Sequence, residues 1–188
     1  MFRLTLVLLV GVIALVLVYS AEHPVSCHSS AGVTPDTSIV GCPSLSSSFV
    51  DRVLAAYHSP AVGLGAVLVQ DSQVYSIDDA YALAFFWHES TFGRYGAAAA
   101  THSLGNIICA GSPTCIGRFR AYPSWADGAT DWFRVLSHEY VSSGLTTPRR
   151  IVPVYAPSTE NDVAAYIRAV DTAVSTWRAG RLMVGEVS

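Results

Sequence analysis

Apolar residues recur at helical spacing along much of the chain and predict a mainly helical scaffold. The first helix carries apolar residues four apart, and a second is predicted over residues 64–75. A further helix ends at Gly144, and a last long one begins with caps at Asn161 and Asp162. The apolar markers are Leu45, Phe49, Val53 and Tyr57 in the first helix; Ala129, Trp132, Phe133, Leu136 and Tyr140 in the helix before Gly144; and Val163, Tyr166, Ile167, Val170, Val174 and Trp177 in the last.

The run at positions 81–93 is largely apolar and aromatic and carries one carboxylate, Glu89, near its end, which predicts a buried helix. Asp78 can cap its start, and Gly93 is a typical stop. Glu89 lies in the last turn, where carbonyl dipoles and aromatic neighbours disfavour its charged form and should raise its pKa. Such an acid suits proton donation in glycoside cleavage. The alternative is an ordinary, solvated glutamate at a helix end.

Two segments begin like the zinc-protease helix motif, which needs a second histidine four residues after the first. After His88 that position is Phe92, and after His138 it is Ser142. The other histidines also lack ligand spacing. We therefore expect no metal and no cofactor.

The segments after Glu89 follow one another in a recognisable order. They are Phe-Gly at 92–93, Ser-Leu-Gly-Asn-Ile at 103–107, Phe-Arg-Ala-Tyr-Pro-Ser-Trp at 119–125, Asp-Trp at 131–132, Val-Tyr-Ala-Pro at 154–157 and Asn-Asp at 161–162. This succession, over roughly residues 48–178, resembles the glucosaminidase domain of bacterial cell-wall hydrolases (glycoside hydrolase family 73). The resemblance implies a lysozyme-like fold, mainly α with one small β-hairpin beside the cleft.

The resemblance also implies roles for individual residues. Glu89 matches the catalytic acid, and Tyr122 matches a tyrosine that faces it across the cleft. Asn106 falls in a turn that lines the cleft. Phe119 and Trp125 flank the strand as core or sugar-platform aromatics. If residues 119–122 form a strand, its alternation puts Arg120 on the side of Tyr122 or at the cleft rim.

The chain departs from one version of the family pattern, in which a β-lobe after the catalytic helix carries a second acid. No Asp or Glu occurs between Glu89 and Asp127. Asp127 fits a capping box with Ser124, and Asp131 is expected at the surface or cleft edge. The nucleophile or base is therefore unassigned. Water or the N-acetyl group of the substrate could complete the reaction.

Residues 1–20 are predicted to be a signal peptide or an N-terminal membrane anchor, because Arg3 precedes an apolar run over residues 4–21. Residues 21–43 are a Ser/Pro-rich arm with two cysteines, residues 44–178 the catalytic domain, and residues 179–188 a tail. If the leader is cleaved, the protein is predicted to be secreted; if it is retained, the protein is predicted to be anchored on the outer face of the cytoplasmic membrane. The net charge of −3 argues against nucleic acid as a partner. We expect a monomer.

The four cysteines fit an oxidising compartment, and four cysteines allow three pairings. Proximity in sequence favours Cys109–Cys115 and Cys27–Cys42. Cys109 and Cys115 bracket a turn-rich stretch between two predicted strands, so their bridge would close a hairpin.

The expected function is hydrolysis of peptidoglycan at an N-acetylglucosaminyl bond, with Glu89 as the acid. A lytic transglycosylase would use the same acid, with an internal sugar hydroxyl in place of water. A non-catalytic glycan-binding module is a third alternative, and the missing second acid favours it. An amidase that cuts the peptide stem is disfavoured, because the sequence shows neither a set of zinc ligands nor a Cys-His pair suited to catalysis.

Overall fold

The computed structural model describes residues 37–110 and 114–185. These residues form a mainly helical structure with one small antiparallel hairpin, which confirms the predicted class. In chain order the elements are α1 (Ser47–Ala56), α2 (Gly65–Tyr75), α3 (Asp79–Ser90), α4 (Ala98–Thr101), β1 (Cys115–Ile116), β2 (Phe119–Arg120), α5 (Trp125–Val135), α6 (Pro148–Tyr155) and α7 (Val163–Arg178).

Helix α3 is the centre of the core. Its residues 80–86 are each at most 1% exposed. Because an all-apolar helix has no face suited to water, its neighbours must cover it on every side. Helix α7 packs along α3, α2 packs against both α1 and α5, and α6 packs against α7. Aromatic rings fill the interior: Phe85 and Phe86 contact Trp132 with ring centroids 5.4 and 5.1 Å apart.

Three predicted helix starts are confirmed by their caps. The Asp78 side chain accepts a hydrogen bond from the Ala80 amide (2.9 Å) at the start of α3. Ser124 accepts one from the Asp127 amide (3.1 Å) at the start of α5. Asp162 caps α7. Each bond satisfies a backbone donor that the first turn of a helix leaves unpaired.

The helix predicted to continue to Gly144 changes its winding before that residue. α5 stops at Val135 and is followed by a π-helical turn (Leu136–Tyr140) and a 3₁₀ turn (Val141–Ser143). Gly144 then ends the segment with a φ of +79°. Helix α6 was not predicted, because it is short and contains an internal proline, Pro153.

The hairpin differs from the prediction in its turn. The predicted Cys109–Cys115 bridge is present, with Cα atoms 6.0 Å apart. It closes a loop that precedes the hairpin, whereas the hairpin itself turns at Gly117, which has a φ of +59°. Ile108 then pairs with Phe119 as an isolated bridge. The disulfide therefore fixes the chain at one side of the hairpin.

Several predictions fall on residues outside the described ranges. Cys27, one half of the predicted Cys27–Cys42 bridge, is among them, as are the leader at 1–20, most of the arm and the last residues of the tail. Within the described ranges, no helix has the length and apolar character needed to cross a membrane.

Candidate active site

Glu89 lies in the last turn of α3, just before a sharp change of chain direction. The three residues Thr91, Phe92 and Gly93 have φ values of 47°, 56° and 84°. Left-handed conformations at non-glycine residues cost on the order of 1–3 kcal/mol each and persist only where the surroundings hold them. Here the Ser90 hydroxyl accepts a hydrogen bond from the Gly93 amide at 2.9 Å. The turn therefore ends α3 at Ser90, one residue after Glu89.

Two side chains from other elements hold the Glu89 carboxylate. The Tyr166 hydroxyl, on α7, donates to Oε1 at 2.7 Å. The Asn106 amide donates to Oε2 at 3.1 Å and to the Glu89 carbonyl oxygen at 3.0 Å. Asn106 itself has a φ of 50°, a conformation that asparagine tolerates better than most residues. Both carboxylate oxygens are thus fixed in position.

Burial raises the pKa of Glu89, and the hydrogen bonds from Tyr166 and Asn106 offset this only in part. The direction is the one that the helix-end position predicts. Burial and the nearby charge of Glu89 also raise the pKa values of Tyr155 and Tyr166 well above their ordinary range. The two tyrosines therefore remain hydrogen-bond donors, with Tyr155 donating to the Gly105 carbonyl oxygen.

Glu89 opens on a cleft of about 660 Å³, within the size range of ligand sites in proteins. Three parts of the chain form the walls: the hairpin with its preceding loop, the π-helical turn, and the end of α6 with the loop after it. Apolar side chains are exposed on two walls, since Ile108 is 47% and Val154 56% accessible. The other lining residues include Asn106, Arg118, Phe119, Arg120, Glu139, Tyr140, Tyr155, Pro157, Glu160 and Asn161.

The cleft brings together some of the predicted site residues and leaves out others. Asn106 and Phe119 line it with Glu89, whereas Tyr122 and Trp125 do not. The Tyr122 hydroxyl donates to Asp131 Oδ2 at 2.6 Å instead of facing Glu89. β2 ends at Arg120, and the Tyr122 amide donates to the carbonyl of Thr101. Arg120 and Tyr122 still point to the same side, as the predicted alternation requires, because both side chains donate to Asp131 Oδ2.

Trp125 has a packing position rather than a place in the cleft. Its ring lies against Gly93, where an added Cβ would meet ring carbons at 2.5 Å. The His102 ring approaches it edge-on, with centroids 4.7 Å apart. Trp125 thus holds the turn that follows Glu89.

Arg120 is the centre of an ionic network below the cleft. Its Nη1 donates to Asp131 Oδ2 at 2.8 Å, and Arg134 contacts the other oxygen at 2.6 Å. Although burial alone would raise the pKa of Asp131, hydrogen bonds from Tyr122, Arg120 and Arg134 hold it below its ordinary value. Arg120 also lies 3.9 Å from Glu139. Asp131 is therefore a half-buried anchor for a cleft-lining arginine.

The sequence patterns do not identify three lining or supporting residues. Tyr166 belongs to an apolar stripe, which predicts a core position. Tyr155 lies in the Val-Tyr-Ala-Pro segment, for which the resemblance implies no residue role. Glu139 follows His138 in an incomplete zinc motif. Its position as an acid beside the aromatic Tyr140 near a helix end is the signal in the sequence that could identify it.

No group of three or more His, Cys, Asp or Glu side chains in the described residues is placed to hold a metal ion. No model of a known protein family matches the chain, and no curated protein matches it.

Proposed function

We propose that this protein is a lysozyme-like glycoside hydrolase that cleaves peptidoglycan at N-acetylglucosaminyl bonds, with Glu89 as the general acid. The observation that carries the proposal is the state of Glu89. Its carboxyl is fixed at both oxygens, its pKa is raised by burial, and it opens on a cleft of ligand size.

The walls of the cleft suit a sugar chain. A pyranose ring has apolar C–H faces and polar edges. The cleft combines the exposed side chains of Ile108 and Val154 with amide, hydroxyl and charged groups. Apolar walls with a few placed polar groups are the usual composition of a small-molecule site.

The proposed substrate also agrees with the proposed location. Peptidoglycan lies outside the cytoplasm, where disulfide bonds such as Cys109–Cys115 persist. We propose that the protein is secreted, or anchored on the outer face of the cytoplasmic membrane, and acts there as a monomer.

The test compares wild type with Glu89→Gln on purified peptidoglycan. Glutamine keeps the shape and can still accept from Tyr166, but it cannot donate the proton. General acid catalysis contributes about 10²–10⁴ in rate, so release of reducing ends should fall by that factor. Digestion by the variant at close to the wild-type rate would contradict the proposal. Mass spectrometry of the products separates the alternatives. A lytic transglycosylase leaves an anhydro-sugar end, a hydrolase leaves a reducing end, and a binding module forms no cleavage product.

A further inference from the structure

Hydrolysis by a single displacement requires a second group that removes a proton from the attacking water while Glu89 donates its own. Besides Glu89, the cleft lining contains the carboxylates of Glu139 and Glu160. Neither lies in the segment between Glu89 and Asp127, where the resemblance places a second acid. We propose that Glu139 is the general base that activates the water, an inference that rests on the proposed function.

The two additional carboxylates differ in how they are held. Glu160 accepts a hydrogen bond from Arg118 at 2.8 Å in an exposed ion pair at the rim. The nearest cation to Glu139 is Arg120, whose Nη2 lies 3.9 Å from Oε1. That separation is too long for a hydrogen bond. The Glu139 side chain is 55% exposed, so its oxygens can accept from a water molecule.

Glu139 lies in the π-helical turn Leu136–Tyr140. Here Glu139 and Tyr140 both line the cleft. The Ser142 and Ser143 hydroxyls donate to the carbonyls of His138 and Glu139 at 2.5 and 3.1 Å, which supports the altered winding. Such π turns occur frequently at functional sites.

Arg120 gives Glu139 surroundings opposite to those of Glu89. The arginine side chain is only 11% exposed and is fixed by Asp131, so its charge stays close to Glu139. The Glu139 carboxylate thus has a guanidinium and solvent beside it. Glu89 is instead largely shielded from water at the carbonyl end of a helix. Two carboxylates in contrasting environments are the usual basis for separate acid and base roles.

The proposed step is a single displacement. The water oxygen attacks the anomeric carbon while Glu139 takes one of its protons. The bond from that carbon to the glycosidic oxygen breaks, and its electron pair stays with the oxygen, which receives the proton of Glu89. The products are two sugar chains, with Glu139 protonated and Glu89 ionised until solvent exchanges the proton. Attack by water on the opposite face inverts the anomeric configuration.

The experiment measures turnover of soluble glycan-strand fragments by wild type, Glu139→Gln, Glu139→Ala, Glu89→Gln and Asp127→Asn. Asp127 is the matched control, since it is an exposed carboxylate at the start of α5 outside the cleft lining. We expect Glu139→Gln to lose about 10²–10⁴ in kcat with little change in KM, and Asp127→Asn to match wild type. Added azide should restore turnover to Glu139→Ala and yield a glycosyl azide. Proton NMR of fresh wild-type product should show the inverted anomer.

The outcomes separate this inference from the proposed function. Three results would each overturn the role of Glu139 and leave Glu89 as the acid. They are loss of activity in Glu89→Gln with normal activity in Glu139→Gln, a product of retained configuration, and an anhydro-sugar product. No turnover by wild type would remove both. Circular dichroism of each variant excludes misfolding, which is not expected because Glu139 is exposed.

Discussion

Asp79, the first residue of α3, has a completely buried side chain. Its Oδ1 accepts hydrogen bonds from the amides of Ser44 and Leu45 at 2.8 and 3.1 Å. Its Oδ2 is buried and has no hydrogen-bond partner among the described residues. The neighbouring Asp78 is ion-paired with Arg178. Burial, reinforced by the charge of Asp78, raises the pKa of Asp79 from 3.8 to about 7.

This raised pKa makes the stability of the fold depend on pH. Between the two pKa values the folded protein binds a proton that the unfolded chain releases. The contribution of Asp79 is therefore fully present below pH 3.8 and is lost as the pH rises through about 7. One pKa unit corresponds to about 1.36 kcal/mol, so the contribution amounts to about 4 kcal/mol over this interval.

Asp79→Asn isolates that contribution, because asparagine keeps the acceptor for the two amides and cannot ionise. The free energy of unfolding, from urea titrations followed by circular dichroism at pH values between about 4 and 8, is compared with wild type. Wild type should lose about 4 kcal/mol relative to the variant as the pH rises. Other carboxyls with raised pKa values, such as Asp71 and Glu89, cancel in the difference. A difference that stays constant across the pH range would refute the reasoning.

Two further predictions concern the surroundings of Glu89. Tyr166→Phe removes a hydrogen bond that lowers the pKa of Glu89, so the alkaline limb of kcat/KM against pH should move to higher pH. A limb that stays in place would show that a group other than Glu89 causes the loss of activity at high pH. Gly93→Ala brings a Cβ within 2.5 Å of the Trp125 ring at a φ of +84°, and thermal unfolding should show a loss of more than about 1–3 kcal/mol. Gly96→Ala, at a φ of +69° with nothing within 4 Å of the added Cβ, is its control and should lose less; equal losses would show that the ring contact does not matter.

Much of the helical fold follows from local sequence rules. The stripe that includes Tyr166, Val170 and Trp177 became α7, and the cap at Asp162 marked its start. The hydrophobic period and the cap suffice to predict α7, because one face of the helix is buried and the opposite face is exposed to water. Helix α6 lacks this contrast, since proline and arginine interrupt its short pattern.

The candidate site could be predicted only in part. Glu89 and Asn106 were found because each belongs to a short segment with its own signature, and Asn106 donates to the Glu89 carboxylate at 3.1 Å. The partner on the other side, Tyr166, lies 77 positions away in sequence. Its hydroxyl reaches Glu89 through the packing of α7 on α3, which no local pattern contains. The resemblance implies a cleft position for Tyr122, but its hydroxyl donates to Asp131 and the residue does not line the cleft.

Several residues in or beside the cleft lie where the chain leaves regular geometry. Thr91 and Phe92 turn in the left-handed region after Glu89, Asn106 does so beneath it, and the π-helical turn presents Glu139 and Tyr140 together. Each departure costs conformational free energy that a regular helix avoids, and hydrogen bonds such as those from Gly93 to Ser90 and from Ser143 to Glu139 support it. Local rules are expected to fail where a fold exchanges stability for a site. The change from α-helical winding to a π-helical and a 3₁₀ turn between Val135 and Gly144 is therefore itself a reason to test Glu139 for a catalytic role.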